Sequence, residues 1–337
     1  MKKKGFSLIV GAILIVALTL GACAPAAPAV EPVAEFPSRP IVVQVPYSPG
    51  GATDFQVRIV TMAAGLDKYF GQPIAVTNKP GGGAVPGYNW FIDNAKPDGY
   101  YLTSYNTPHF IAHGIAFPDK VKYNAQNMEP VYNFGADPNV FFVNLDSPFN
   151  TALEVVDYAK KNPEKLSLSI ADLFGCHHIQ QLQIEMATGA KFTTVPHAGG
   201  VPALVAVIAG EVDLGTNNLS DAYRSRDRLK ILAIADLQRH EFLPDVPTWQ
   251  ELGIDIDNTT VNCRGLAAPL GTPEPILNKL SETLCAMLSE KKVIGKMEAG
   301  GSPMWMLTRA ETRKFWDEKD AYLKVFLTPF VEAYRKK

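Results

Sequence analysis

The sequence predicts an α/β protein of two lobes, each a mixed or parallel sheet flanked by helices. Three observations carry that expectation. Between residues 39 and 107, short β-branched runs alternate with helical patterns, the order that builds a parallel sheet. From residue 150 to residue 236 the same alternation begins again with new elements. Two glycine turns, Pro49-Gly50-Gly51 and Pro80-Gly81-Gly82-Gly83, each stand between a strand run and the helix after it.

RPIVVQVPY (39–47) reads as the first strand, and TDFQVRIVTMAAGLDKYFG (53–71) as a helix with Val57, Val60 and Ala64 at helical spacing. QPIAVTN (72–78) is a second strand. PGYNWFIDNAK (86–96) is a second helix, with Pro86 suited to its first turn, and GYYLTSYN (99–106) a third strand. A separate unit starts near residue 139. Its first helix is entered at Asn150 or Thr151 and stopped by Asn162-Pro163. Strands follow in KLSLSIA (165–171), VDLGTN (212–217) and LKILAIAD (229–236), and FTTVPHAGG (192–200) makes a strand and loop. Helices fall in HHIQQLQIEMATGA (177–190), ending at Gly189, and in VPALVAVIAGE (201–211). After NCRGLAAP (262–269) the pattern turns helical over 271–300, with Thr272 as cap and Pro273 in the first position. A last helix is expected over about 309–335.

The chain has 337 residues, 47% hydrophobic and 20% charged, enough for two cores. A formal charge of −2 and the lack of a basic run give no support for nucleic-acid binding. Lys2, Lys3 and Lys4 precede an apolar run from Phe6 to Leu20, shorter than the ~20 residues a bilayer span needs. Residues 1–22 therefore read as an export signal. The ending Leu20-Gly21-Ala22-Cys23 resembles the lipobox of bacterial lipoproteins, which implies acylation at Cys23. Residues 23–38 then form a lipid anchor and an Ala/Pro-rich tether. Cys176, Cys263 and Cys285 allow at most one disulfide, and their spacing fits no zinc site.

The glycine turns carry the chemistry. The first amides of a helix have no intrahelical partner, and the helix dipole places about half a positive charge there. Glycine permits the tight turn and close approach of a ligand, and such loops lie where open α/β sheets bind ligands. Donors to a small anion are then the amides of Gly50, Gly51 and Ala52 and the hydroxyls of Ser48 and Thr53. The amides of Gly82, Gly83, Ala84 and Val85 would meet it from the other side. Each hydrogen bond to a charged group is worth roughly 1.5–3 kcal/mol. Three or four approach the ~8 kcal/mol of micromolar binding before ordering costs. The second turn lacks a glycine at position 86 and so misses the dinucleotide fingerprint, and no P-loop occurs.

Several stretches together resemble the substrate-binding proteins of tripartite tricarboxylate transporters, the Bug family. They are RPIVVQVPYSPGGATD (39–54), NKPGGGAVPG (78–87), KPDGYYL (96–102) and TVPHAGGVPALVAVIAGEVDLG (194–215). LAIADLQRHEFLPDVPTWQELG (232–253) and GLAAPLGTPEPILNKL (265–280) complete the set. The resemblance implies a type II-like periplasmic binding protein with its ligand cleft between the lobes. Lobe one would comprise 39–138 plus 264–337 and lobe two 139–263, with crossings near Asn139 and Asn262. One ligand carboxylate would be held by the two glycine loops. That role carries onto Ser48, Gly50, Gly51, Thr53 and Asp54, and onto Asn78, Gly82, Gly83 and Ala84, with Tyr47 beside them.

The chain also departs from that family's pattern. Ala84 stands where the second loop usually has its last glycine, and Pro86 follows. In lobe two, where the distal part of the ligand is read, Cys176-His177-His178 replaces the common serine before a histidine, and His197 replaces a common tyrosine. Gly199 and Asn217 join these as binding candidates. The implied ligand is an aliphatic di- or tricarboxylate. It would be an aromatic carboxylate if two of Tyr47, Tyr105, Phe134 and Phe174 lined the cleft. The implied partners are transporter membrane subunits and, through Cys23, a membrane; the protein is expected to be a monomer without cofactor, in the periplasm or on the outer face of the cell membrane. Other readings remain: Asp54 as a helix cap, His109 and His113 as a metal pair, and Cys176 with His197 and Asp221 as a thiol-enzyme triad. A ligand-sensing accessory of a sensor kinase is the alternative among binding functions.

Overall fold

The computed structural model describes residues 35–63 and 69–336; the expected signal, Cys23 and most of the tether lie outside them. In the first lobe the chain runs β1 (Ile41–Val45), α1 (Ala52–Arg58), β2 (Ile74–Asn78), α2 (Val85–Asn94), β3 (Tyr101–Thr107), α3 (His109–Ala116) and β4 (Met128–Asp137). After α1 the helix continues in π form over Ile59–Ala63. The second lobe holds β5 (Asn139–Asn144), α4 (Ala152–Lys161), β6 (Ser167–Ile170), α5 (Cys176–Thr188), β7 (Thr193–Pro196), α6 (Gly200–Ile208), β8 (Leu214–Asn218), α7 (Leu219–Arg224) and β9 (Leu229–Ala235). The chain returns along β10 (Asn262–Pro269), then α8 (Glu274–Leu288), α9 (Lys291–Ala299), β11 (Met304–Leu307) and α10 (Arg309–Arg335).

Two sheets result, in the orders β11-β4-β10-β3-β1-β2 and β7-β6-β8-β5-β9. β1 pairs in parallel with both β2 and β3, so the two glycine turns leave neighbouring strands at the same edge. In each sheet one strand arriving from the other lobe inserts antiparallel: β10 between β3 and β4, and β5 between β8 and β9. Only Pro138 separates β4 from β5, so the passage between lobes is a continuous strand path.

Each lobe buries its own apolar cluster. Val43, Val45, Leu102, Phe134, Leu266 and Leu280 belong to the first, and Phe141, Val155, Leu168, Leu214 and Trp249 to the second. A third cluster joins the lobes, packing Phe174 and Ile179 with Phe110, Trp316 and Leu327. Local signals agree with these contacts. Thr151 and Glu154 form a capping box at α4, and Thr308 and Glu311 another at α10. Gly189 closes α5 with φ 76°, the left-handed conformation glycine accepts.

The C-terminal helical stretch differs from its expected form. Thr272 is not a cap, because its hydroxyl turns back to the Pro269 carbonyl at 2.7 Å. Pro273 occupies the cap position of α8 without a side-chain bond, and the stretch divides into two helices around Ser289-Glu290. β4, β5, β10 and β11 go beyond the strands expected from sequence. β4 and β10 are covered on both faces and show no polar-apolar alternation.

Candidate functional site

The two glycine turns meet a third turn from the other lobe, Ala198-Gly199-Gly200 at the start of α6, around one cleft. Ser48 Oγ reaches the Ala198 carbonyl at 3.5 Å across the gap. Among the described residues no acceptor serves the amides of Ala52 and Thr53, or of Gly82 and Gly83. The second turn obtains its shape from four successive positive φ angles: Gly81 109°, Gly82 53°, Gly83 62° and Ala84 69°. Ala84 therefore holds the left-handed conformation its side chain disfavours, at the position where the resemblance expected glycine. Gly83 suits this turn by its φ of 62°, and a Cβ there would sit tightly, 3.3 Å from His113 Cε1 and 3.4 Å from Asp172 Cβ.

The cleft gathers Tyr47, Ser48, Gly51, Ala52, Thr53, Gly83, Ala84, His177 and Gly199 from the sequence-derived set. The others stand behind its walls. The Gly50 amide donates to Asp54 at 2.9 Å, and Asp54 also accepts from Arg58 at 3.0 Å and Asn78 at 2.8 Å. Burial alone would raise the Asp54 carboxyl, but these donors hold it below its usual range. Asp54 and Asn78 thus brace the first turn from outside the cleft. Gly82 and Val85 line a different, outer groove. Asn217 donates to the Gly200 carbonyl at 2.7 Å and fixes the third turn. His178 accepts from the Phe174 amide at 3.0 Å and packs edge-on against that ring, and His197 lies outside the lining.

Cys176 is wholly buried, 3.6 Å from His109 Nε2 and 3.4 Å from Asn139 Oδ1. Burial pushes its thiol far up, with Asn139 only partly opposing that rise. His109 meets Cys176 and Asp172 through the same nitrogen, Nε2, whereas a relay needs the thiol and the orienting acid on opposite nitrogens. His197 and Asp221 are not its partners. The triad reading fails on this geometry.

Side chains from strand ends and loops complete the cleft: Asn106, His109, Asp172, Asn218, Asp221 and Asn262. Asn106 and the Thr53 hydroxyl are mutually hydrogen-bonded at 2.9–3.1 Å. Asn262 donates to Asn218 Oδ1 at 3.0 Å. Asp172 follows β6 and reaches across the lobes to His113 Nε2 at 2.8 Å. Burial would raise the Asp172 carboxyl, but His109 and His113 hold it below its usual range. Burial lowers His109 to about 3 and His177 to about 4, so both imidazoles are neutral at pH 7. Asp221 is raised, chiefly by burial, against the pull of its ion-pair partner Arg224. Open α/β sheets form their clefts just after the parallel strands, and that rule was the available signal for a cleft residue at Asp172. Of the four aromatic candidates only Tyr47 lines the cleft; Tyr105, Phe134 and Phe174 are core residues.

Two α/β lobes joined by exchanged strands, with a cleft of helix N-termini between them, define a periplasmic-binding-protein architecture. The profile of the tripartite tricarboxylate transporter family receptor matches residues 58–327, and the chain belongs to that family. A UPF0065 protein from the gbd 5' region of Cupriavidus necator is 31% identical over 260 residues, 76% of this chain and 77% of the relative. A solved structure described as a periplasmic transporter superposes with TM-score 0.80 at 31% identity, covering 87% of this chain and 97% of the other. MatC from Rhodopseudomonas palustris, solved with bound malate, gives TM-score 0.78 at 27% identity, covering 86% and 99%.

Proposed function

We propose that this protein captures a small organic carboxylate in the interlobe cleft and delivers it to the membrane subunits of a tripartite tricarboxylate-type transporter. One observation carries the reading: two adjacent turns present amides without acceptors, opposite a third turn from the other lobe. Such donors favour an anion, and a ligand touching both lobes stabilises their closed arrangement. The malate-bound relative supports a carboxylate as the ligand class. Within this reading the first-turn donors are Ala52 and Thr53 with Ser48, and the second-turn donor is the Gly83 amide. His177, Gly199 and the Asn106-Asn218-Asn262 floor would read the remainder.

We place lobe one at 39–138 plus 264–337 and lobe two at 139–263, in keeping with the division of strands between the sheets. Residues 1–22 act as the export signal, and Cys23 carries the lipid that holds the receptor at the outer face of a membrane. Native mass spectrometry of the purified mature protein against mono-, di- and tricarboxylates tests the reading. A one-to-one complex at micromolar concentration is expected, and no complex with any of them would overturn it.

A further inference from the structure

The cleft is walled by neutral amides, yet among the described residues its lining contains two carboxylates and no lysine or arginine. Asp221 is matched: Arg224 pairs with one oxygen, and Asn218 donates to the other at 3.3 Å. Asp172 is only half matched. Its Oδ2 accepts from His113 at 2.8 Å, whereas Oδ1 accepts no hydrogen bond from the described residues and has only His109 Nε2 at 3.7 Å. Asp172 also lies directly against the second glycine turn, Oδ2 being 3.5 Å from where a Cβ on Gly83 would sit. An anion on the Gly83 amide would therefore have an ionised carboxylate as its neighbour.

We propose that the cargo of this cleft carries an ammonium group close to its carboxylate, as an amino acid does, and that Asp172 receives that group through Oδ1. The inference rests on the carboxylate reading above and narrows it from plain di- and tricarboxylates to zwitterions. Such a cargo places its anion on the glycine turns and its cation on the acidic oxygen that lacks a donor. Like charges brought together in a water-poor cleft repel strongly, and an ammonium turns that repulsion into a charge-assisted hydrogen bond. His177 supplies an independent sign that the wall awaits a ligand. Its Nδ1 accepts from the Ala171 amide at 3.3 Å, so its proton sits on Nε2, a buried donor that has the Asn218 side chain beside it but makes no well-formed hydrogen bond. That donor suits a second oxygen on the cargo, as in an amino dicarboxylate or its amide.

Titration calorimetry of the mature protein with matched sets tests this. The sets are propionate, lactate and alanine; succinate, malate and aspartate; glutarate, 2-hydroxyglutarate and glutamate. In at least one set the ammonium member is expected to bind ten-fold or more tightly than both companions. Asp172→Asn, which keeps an oxygen to accept from His113, should erase that preference, bringing the ratio of the ammonium member to its companions to about one. Binding of the companions also reports that the variant is folded; should it unfold, the wild-type ratios decide. A plain or hydroxy acid binding as tightly as its amino counterpart in every set overturns the proposal and leaves the carboxylate reading standing, as does an unchanged ratio in Asp172→Asn. If no carboxylate of any kind binds, both fall together.

Discussion

His109, His177 and His178 lie buried where the lobes meet, and burial lowers them to about 3, about 4 and about 4. The unfolded chain binds protons on these side chains near pH 6.5, whereas the folded chain resists until pH approaches those lower values. Their contribution is intact above pH 6.5 and drains away as pH falls toward 4. Each tenfold loss of proton affinity on folding is worth about 1.4 kcal/mol, so His178 alone accounts for about 3 kcal/mol across that window. Urea midpoints should drop steeply between pH 7 and pH 4.5, and His178→Gln should flatten the slope without touching the cleft. A flat wild-type profile would contradict these values. Adjacency on a helix is enough to say that His177 and His178 face different ways, but not which one meets the cleft. Asp172 was less legible, because it stands in a loop whose partner, His113, is 59 residues away in the chain. The strain at Ala84 is legible, since one methyl group in a glycine turn has a local conformational consequence.

β4 and β10 lie side by side, with Asn262 opposite Asp137, at the point where the chain leaves one lobe for the other. Arg264 is fully buried there and donates to Asp137 at 2.6 Å, while the Ser220 amide of the second lobe donates to the same carboxylate at 3.0 Å. Removing the negative partner strands a guanidinium without solvent, which costs about 3–5 kcal/mol. Asp137→Asn should lose that amount in urea denaturation. Asp98→Asn, which breaks the exposed pair with Arg39, should lose less than about 1 kcal/mol. Equal losses would mean that the buried pair is not what ties the crossing. Strands with one wet face and helices with caps could be read from local pattern, as with β2 and α4. β4 could not, because Pro130 and Gly135 interrupt a run buried on both sides. Its neighbours are set by contacts between residues more than a hundred positions apart.

Across the whole molecule the lobes also touch away from the crossing. Arg224 of the second lobe donates to the Gly300 carbonyl at 3.1 Å and lies 4.8 Å from the centre of the Phe55 ring. Arg224→Ala removes both contacts and leaves Asp221 without its cation. The ligand-free variant should show a larger radius of gyration in small-angle X-ray scattering, because fewer molecules are closed. Carboxylate affinity should weaken several-fold, in proportion to the lost closed fraction. Unchanged scattering would show that this contact does not bias closure.

Pro138 leaves no slack between β4 and β5, and β10 runs beside that junction like a second stitch in a book's spine. Pages bound along one edge part most readily away from it, and Ser48 faces Ala198 across the gap between the lobes. A parting there would serve cargo on arrival and on departure alike, so whatever docks over it would govern both directions of traffic.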